Sequence, residues 1–84
     1  MFEVRLSRRA RRYYERASTD TAARLDRALG SLEVNPFGPG DIKPLRGMPR
    51  TYRLRVGDLR IVFEVDREAR VVNVLHILPR GDAY

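Results

Sequence analysis

Arginine supplies most of the side chains in this sequence whose type and spacing could do chemistry. Of 17 basic residues 16 are Arg and only Lys43 is Lys, and against 11 acidic residues this gives the 84-residue chain a formal net charge of +6. Three arginines, Arg53, Arg55 and Arg60, lie close together in a strand-like segment. A guanidinium binds phosphate or carboxylate through two parallel hydrogen bonds. The preference for Arg over Lys can also arise from codon usage in a GC-rich genome. The net positive charge indicates an anionic partner, either nucleic acid or an acidic protein.

The absence of cysteine excludes several classes of site. The chain has no disulfide and no Cys-ligated zinc, and the lone His76 cannot build a histidine metal site, so we expect no metal and no cofactor. A length of 84 residues predicts one domain over residues 1–84. No apolar run approaches the ~18 residues of a membrane helix, and the charged start does not resemble a signal peptide. We therefore expect a cytoplasmic protein with no membrane partner.

The hydrophobic pattern predicts an α+β domain with the order β-α-α-β-β-β. Alternation at the start predicts a strand, and Ser7 is a suitable N-cap for the helix that follows. A second apolar stripe at helical spacing ends near Asn35, and residues 36–41 have loop composition. Three strands follow, separated by Gly57-Asp58 and by a polar turn over residues 66–70. We expect the two helices to form a hairpin packed on one face of a small, mainly antiparallel sheet.

The two turns predict which strand residues face each other. A two-residue loop at Gly57-Asp58 pairs Val56 with Leu59, and therefore Arg55 with Arg60. Arg53 then shares the face of these two arginines.

A five-residue turn after Val65 would pair Val65 with Val71. This register places Arg60 opposite His76 and adds Leu75 and Ile77 to the core. A shift of one residue would exchange the two faces of the last strand.

Like charges directly opposite on a sheet are destabilising. The face that holds Arg53, Arg55 and Arg60 has no matching cluster of acids in this pattern, where only Glu64 is nearby. Such a face is consistent with a docked anion, either a phosphodiester backbone or an acidic protein segment.

Two segments of the sequence resemble a known family. Residues 45–49 (LRGMP) with 52–65 (YRLRVGDLRIVFEV), and residues 74–84 (VLHILPRGDAY), are similar to the RelE/ParE superfamily of toxin–antitoxin toxins. The resemblance covers the whole chain and implies a ribosome-dependent mRNA endonuclease that needs no metal and is neutralised by a cognate antitoxin. In RelE-type enzymes the 2′-hydroxyl attacks the adjacent phosphate, which gives a 2′,3′-cyclic phosphate and a 5′-hydroxyl.

The resemblance also implies the site residues. The catalytic residues by this match are Arg53, Arg55, Arg60, Arg80 and Tyr84. The residues expected to bind RNA are Arg53, Arg55, Arg60, Arg80 and Lys43.

The chain departs from the family pattern at two places. Arg53 and Arg55 stand where RelE-type toxins often have Lys, and an arginine, which almost never loses its proton, is a poor general base. Many relatives have His before the C-terminal Arg, whereas this chain has Pro79. The residue that transfers a proton is therefore open between Tyr84 and His76.

Three functions remain open at this point. The first is the mRNA endonuclease, in a hetero-oligomer with its antitoxin and acting on the ribosome. The second is a ParE-type inhibitor of DNA gyrase without nuclease activity, and the third is an inactive relative that only binds antitoxin or RNA. The arginines of the first helix are either a solvated face or a contact for ribosomal RNA or antitoxin.

Overall fold

The computed structural model describes residues 1–79, which form two helices and one five-stranded sheet. The elements are β1 (Glu3–Leu6), α1 (Arg8–Glu15), α2 (Thr19–Val34), β2 (Asp41–Pro44), β3 (Thr51–Val56), β4 (Leu59–Asp66) and β5 (Val71–Pro79). The strand order is β1-β5-β4-β3-β2, with β1 parallel to β5 and the other neighbours antiparallel. The predicted α+β class is confirmed. The structure adds β2, whose first residue the sequence analysis had assigned to the loop.

Both helices begin at serine caps. The Ser7 hydroxyl accepts a hydrogen bond from the Ala10 amide at 3.0 Å and donates to the Leu75 carbonyl at 2.7 Å, so the same side chain caps α1 and attaches it to β5. Ser18 caps α2 by accepting from the Thr21 amide at 3.2 Å. The predicted hairpin of helices is present, and the Tyr14 hydroxyl of α1 donates to the Asp26 carboxylate of α2.

The core lies between the helices and one face of the sheet. The α2 residues Leu25, Ala28 and Leu32 are buried at helical spacing, against strand residues that include Ile61 and Phe63. Because strand side chains alternate, burial of these residues turns their neighbours to the opposite face. No helix of the described residues is long and apolar enough to cross a membrane.

The turn between β3 and β4 has the predicted length. Gly57 has φ 58°, a left-handed conformation that glycine adopts without a side-chain clash at the first position of a two-residue hairpin turn. This turn gives the predicted pairs Val56–Leu59 and Arg55–Arg60, and the same register pairs Leu54 with Ile61.

The register between β4 and β5 differs from the prediction. Asp66 pairs with Val71, so the turn has four residues, and its carboxylate accepts a hydrogen bond from the Ala69 amide at 3.0 Å. A β-bulge then separates the pairs Phe63–Val74 and Val62–His76, which leaves Leu75 as the extra residue.

The predicted pairing of Arg60 with His76 is therefore wrong, because Arg60 pairs with Leu78. Ile77 joins the core as expected, whereas Leu75 is only half-buried and lies outside it.

Candidate functional site

Four cations of β2, β3 and β4 lie together on the face of the sheet that points away from the helices. Arg55 of β3 pairs with Arg60 of β4, while Arg53 pairs with Val62 on one side and with Lys43 of β2 on the other. Paired residues of neighbouring strands point to the same side of a sheet. We call Lys43, Arg53, Arg55 and Arg60 the basic face. The structure thus brings together four of the six residues that the sequence analysis nominated.

Arg55 and Arg60 are the two guanidiniums of the basic face without a counter-ion in residues 1–79, and Lys43 also lacks one there. Arg55 is exposed and Arg60 is half-buried. Neither guanidinium lies within salt-bridge distance of a carboxylate in residues 1–79. Two unneutralised guanidiniums on directly opposite residues form a site of positive potential that an anion would stabilise.

Arg53 is held differently, by an acid that sequence reasoning missed. Its Nη1 lies 3.3 Å from the Asp41 carboxylate and 3.3 Å from the Asp41 carbonyl oxygen, and its side chain is only 19% exposed. The expectation that this face lacks matching acids is therefore wrong at this position. In the strand register, the partner of Asp41 is Arg55, but the Asp41 carboxylate binds Arg53. Arg55, which is directly opposite Arg60, therefore keeps its charge unneutralised within residues 1–79.

The signal for Asp41 in the sequence was too short to use. Strand β2 has four residues, follows a Gly- and Pro-rich segment and contains one half-buried apolar residue, Ile42. A single alternation of polar and apolar residues does not distinguish a strand from a loop.

Glu64, the one acid that the sequence placed nearby, is also on this side of the sheet. It pairs with Thr51 and Asn73, and its carboxylate lies 4.0 Å from Nη2 of Arg50. On the distant strand β1, Arg5 donates to Glu3 at 2.7 Å, and this hydrogen bond with the charge of Arg5 lowers the pKa of the Glu3 carboxyl. Within residues 1–79, the strand cations of this side without a salt bridge are therefore Lys43, Arg55 and Arg60, and the last two are directly opposed where β3 and β4 meet.

His76 shares the side of the basic face by register. Its partner Val62 lies two residues from Arg60 on the same strand, so Arg60 and His76 are diagonal neighbours, a separation of about 7–8 Å between Cα atoms. The Nδ1 atom of His76 lies 3.4 Å from Nη1 of Arg9 on α1. The histidine thus connects the sheet to α1 at the edge of β5.

The remaining nominated residues, Arg80 and Tyr84, lie outside the described residues. Their assignment rests on the sequence resemblance.

Comparison with known proteins identifies the kind of molecule to which this fold belongs. A family model described as the ParE toxin of type II toxin–antitoxin systems matches residues 4–84. No curated protein sequence matches the chain at a significant level.

Solved structures match the fold over nearly the whole chain. A chain of the archaeal RelE–RelB complex from Pyrococcus horikoshii superposes with a TM-score of 0.84 at 24% identity, covering 98% of this chain and 98% of the other. The isolated RelE toxin of E. coli gives 0.83 at 21% identity, covering 99% and 88%. A chain of the RelBE2 toxin–antitoxin complex from Mycobacterium tuberculosis gives 0.78 at 31% identity, covering 94% and 98%.

Proposed function

This chain belongs to the ParE toxin family within the RelE/ParE superfamily of type II toxin–antitoxin systems, and we propose that it is a ribosome-dependent mRNA endonuclease. One observation carries the proposal: Arg55 and Arg60 face each other on the exposed side of the sheet without a carboxylate partner in residues 1–79. A site of this kind is suited to a phosphodiester, which brings the negative charge that the protein lacks there.

The proposed reaction is cleavage by the RNA's own 2′-hydroxyl. The 2′-oxygen forms a bond to the adjacent phosphorus and loses its proton, while the bond from phosphorus to the 5′-oxygen breaks and that oxygen gains a proton. The products are a 2′,3′-cyclic phosphate and a 5′-hydroxyl. Negative charge grows on the phosphate oxygens in the transition state, and fixed guanidiniums stabilise it without reorganising.

The roles divide according to the contacts of each cation. Arg60 and Arg55 bind the reacting phosphate, because neither is neutralised within residues 1–79. Lys43 binds an adjoining phosphate, and the pairing of Arg53 with Asp41 competes with phosphate for the Arg53 guanidinium.

By resemblance, Arg80 and Tyr84 complete the site. Arg80 adds a further cation, and Tyr84 or His76 transfers the proton, since arginine is a poor base.

The second candidate is inhibition of DNA gyrase without nuclease activity. It is favoured by the description of the matching family model, which names ParE toxins. The arginines of β3 and β4 are suited to holding an anionic partner, and an arginine is a poor general base.

We further propose a cognate antitoxin as the neutralising partner, in a hetero-oligomer, and a cytoplasmic toxin that forms one domain over residues 1–84. The P. horikoshii and M. tuberculosis relatives are both described as toxin–antitoxin complexes. A short acidic protein encoded by the neighbouring reading frame would fit this partner.

The two candidate functions are separated by inducing the chain in cells and assaying translation and DNA supercoiling separately. We expect a block of translation, with mRNA cuts at defined codon positions in primer extension. Gyrase-linked DNA damage without mRNA cuts would overturn the nuclease proposal and support the gyrase candidate.

A further inference from the structure

A second basic surface, separate from the basic face, lies beside helix α1. A cleft of about 450 Å³ opens between α1, the start of α2 and β5. Its lining residues are Arg9, Arg12, Tyr13, Arg16, Ala17, Ser18, Thr21 and Ile77. Three of these eight residues are arginines and none is acidic. All the charged side chains that line this cleft are therefore positive.

The neighbouring cleft on the other side of α1 provides the contrast. Arg11 and Arg5 line it, but so do the acids Glu3, Asp26 and Glu33. The arginines on one side of α1 therefore line a cleft that also contains carboxylates, whereas those on the other side line a cleft whose lining residues include none. Within residues 1–79, Arg9, Arg12 and Arg16 form no salt bridge.

The spacing of the three arginines suits a chain of phosphates. Arg9, Arg12 and Arg16 stand at i, i+3 and i+7, which is one side of a helix. They extend over about 10 Å of helix axis at 1.5 Å per residue. One strand of a B-DNA duplex has a phosphate every ~3.4 Å of helix axis, and the phosphates of an extended single strand lie farther apart, so at most about three phosphates fit along that length.

The cleft is continuous with the basic face around the edge of β5. The pairing of β1 with β5 ends at Leu6–Val74, so β5 beyond Val74 has no strand partner on that side within the described residues. Arg9 reaches this edge and contacts His76, the diagonal neighbour of Arg60. A strand bound at Arg60 can continue past His76 to Arg9, which lines the cleft.

We propose that the α1 cleft is a second phosphate-binding subsite, which holds the backbone of the same RNA strand that lies on the basic face. The inference rests on the proposed RNA substrate. It assigns to Arg12 and Arg16 a role in binding RNA at a distance from the cleaved phosphate, with no part in the chemical step. An acidic protein segment is the competing occupant, and the experiment distinguishes it.

The test compares two RNA lengths and two double variants of the full chain. The RNAs are a trimer, whose two phosphates the basic face alone can bind, and a 12-mer, both fully 2′-O-methylated so that neither is cleaved. The first variant, Arg12→Gln with Arg16→Gln, removes two cleft charges. The control, Arg8→Gln with Arg11→Gln, removes two charges from the same helix outside that cleft, at residues that are also exposed.

Fluorescence anisotropy at low salt gives the affinities. We expect the cleft variant to bind the 12-mer about tenfold more weakly than the wild type, because two phosphate contacts are lost, and to bind the trimer within about twofold. The control variant should bind both RNAs within about twofold of the wild type. Gln retains high helix propensity, and a thermal melt checks that each variant is folded.

Three results would overturn the inference. One is equal 12-mer affinity for the two double variants, and another is the absence of 12-mer binding by the wild type at low salt. The third is a loss of antitoxin affinity, with unchanged RNA affinity, in the cleft variant, which would make the cleft a protein interface. Failure of the proposed function is a separate observation, because it appears as absent mRNA cleavage by the wild type on ribosomes.

Discussion

Arg55 and Arg60 are directly opposed across β3 and β4, and neither is neutralised by a carboxylate in residues 1–79. Opposed like charges weaken a sheet, so this arrangement lowers the stability of the free chain. The same arrangement provides a binding site for an anion, and the protein does not have to rearrange to form this site. The first two predictions follow from this conflict between stability and binding.

Replacing Arg60 should remove most of the proposed nuclease activity. We expect Arg60→Ala to lower ribosome-dependent mRNA cleavage by about 10²–10³-fold, the usual effect of removing one donor that stabilises transition-state charge. Primer extension on mRNA from a translation reaction measures the cuts. Arg5→Ala is the matched control, because Arg5 is a strand arginine on the same side of the sheet that is bound to Glu3. Undiminished cleavage by Arg60→Ala would refute the assigned role.

Reversing the same charge should stabilise the free chain. We expect Arg60→Glu to raise the free energy of unfolding by about 0.2–1 kcal/mol, because an opposite-charge pair with Arg55 replaces a like-charge pair. Arg60→Gln should give an intermediate value, since it removes the repulsion and adds no attraction. Urea unfolding provides the measurement. A lower stability for Arg60→Glu than for Arg60→Gln would contradict the prediction.

The Asp41–Arg53 contact predicts a change in salt dependence. We expect Asp41→Asn to release Arg53 to an RNA phosphate and to steepen the log–log dependence of RNA affinity on salt by about 0.7. Glu68→Gln removes the same charge from an exposed turn and should leave the slope unchanged. Equal slopes for the two variants would mean that Arg53 already binds phosphate while paired.

The two serine caps should differ in their contribution to stability. We expect Ser7→Ala to lower the free energy of unfolding by about 1.5–3 kcal/mol, because it removes a helix cap and a half-buried hydrogen bond to Leu75. Ser18→Ala should lower it by about 0.5–1 kcal/mol, since Ser18 is exposed and serves α2 alone. Thermal and urea unfolding of the two variants test this ranking. A loss of unfolding free energy for Ser18→Ala that equals or exceeds the loss for Ser7→Ala would contradict it.

The hydrogen bond from Tyr14 to Asp26, which joins the two helices, should be lost at alkaline pH. The hydrogen bond to Asp26, with smaller effects of burial and of the Asp26 charge, raises the pKa of Tyr14 above its ordinary value of 10.0. The folded chain therefore holds this proton more tightly than the unfolded chain does. The resulting stability is complete below pH 10 and is lost as the pH rises through the folded-state pKa of Tyr14.

A variant without the hydroxyl measures this contribution. We expect Tyr14→Phe to be less stable than the wild type at pH 7 and the difference in unfolding free energy to shrink above pH 10. Tyr13→Phe leaves the bond to Asp26 intact and is the control. A difference that stays constant to high pH would show that the Tyr14 hydroxyl does not act through its proton.

Local sequence was sufficient for the helices and for the β3–β4 hairpin. Serine caps and apolar stripes depend on residues within one or two turns of a helix, so the start of α1 after Ser7 and the end of α2 near Asn35 could be predicted. The two-residue turn at Gly57 allows one register, and the opposition of Arg55 and Arg60 followed from it. The part of the basic face on β3 and β4 was therefore predictable from the sequence.

Contacts between distant segments decided the rest. Strand β5 has apolar residues on both faces, so its side-chain pattern does not reveal a one-residue shift. The turn before it is shortened by the Asp66–Ala69 hydrogen bond, and the bulge at Leu75 lies where Ser7, 68 residues away, binds the Leu75 carbonyl. The Asp41–Arg53 pair likewise needs β2 to join the sheet. Register, counter-ions and the cleft beside α1 depend on such long-range packing, which a sequence read in local windows does not contain.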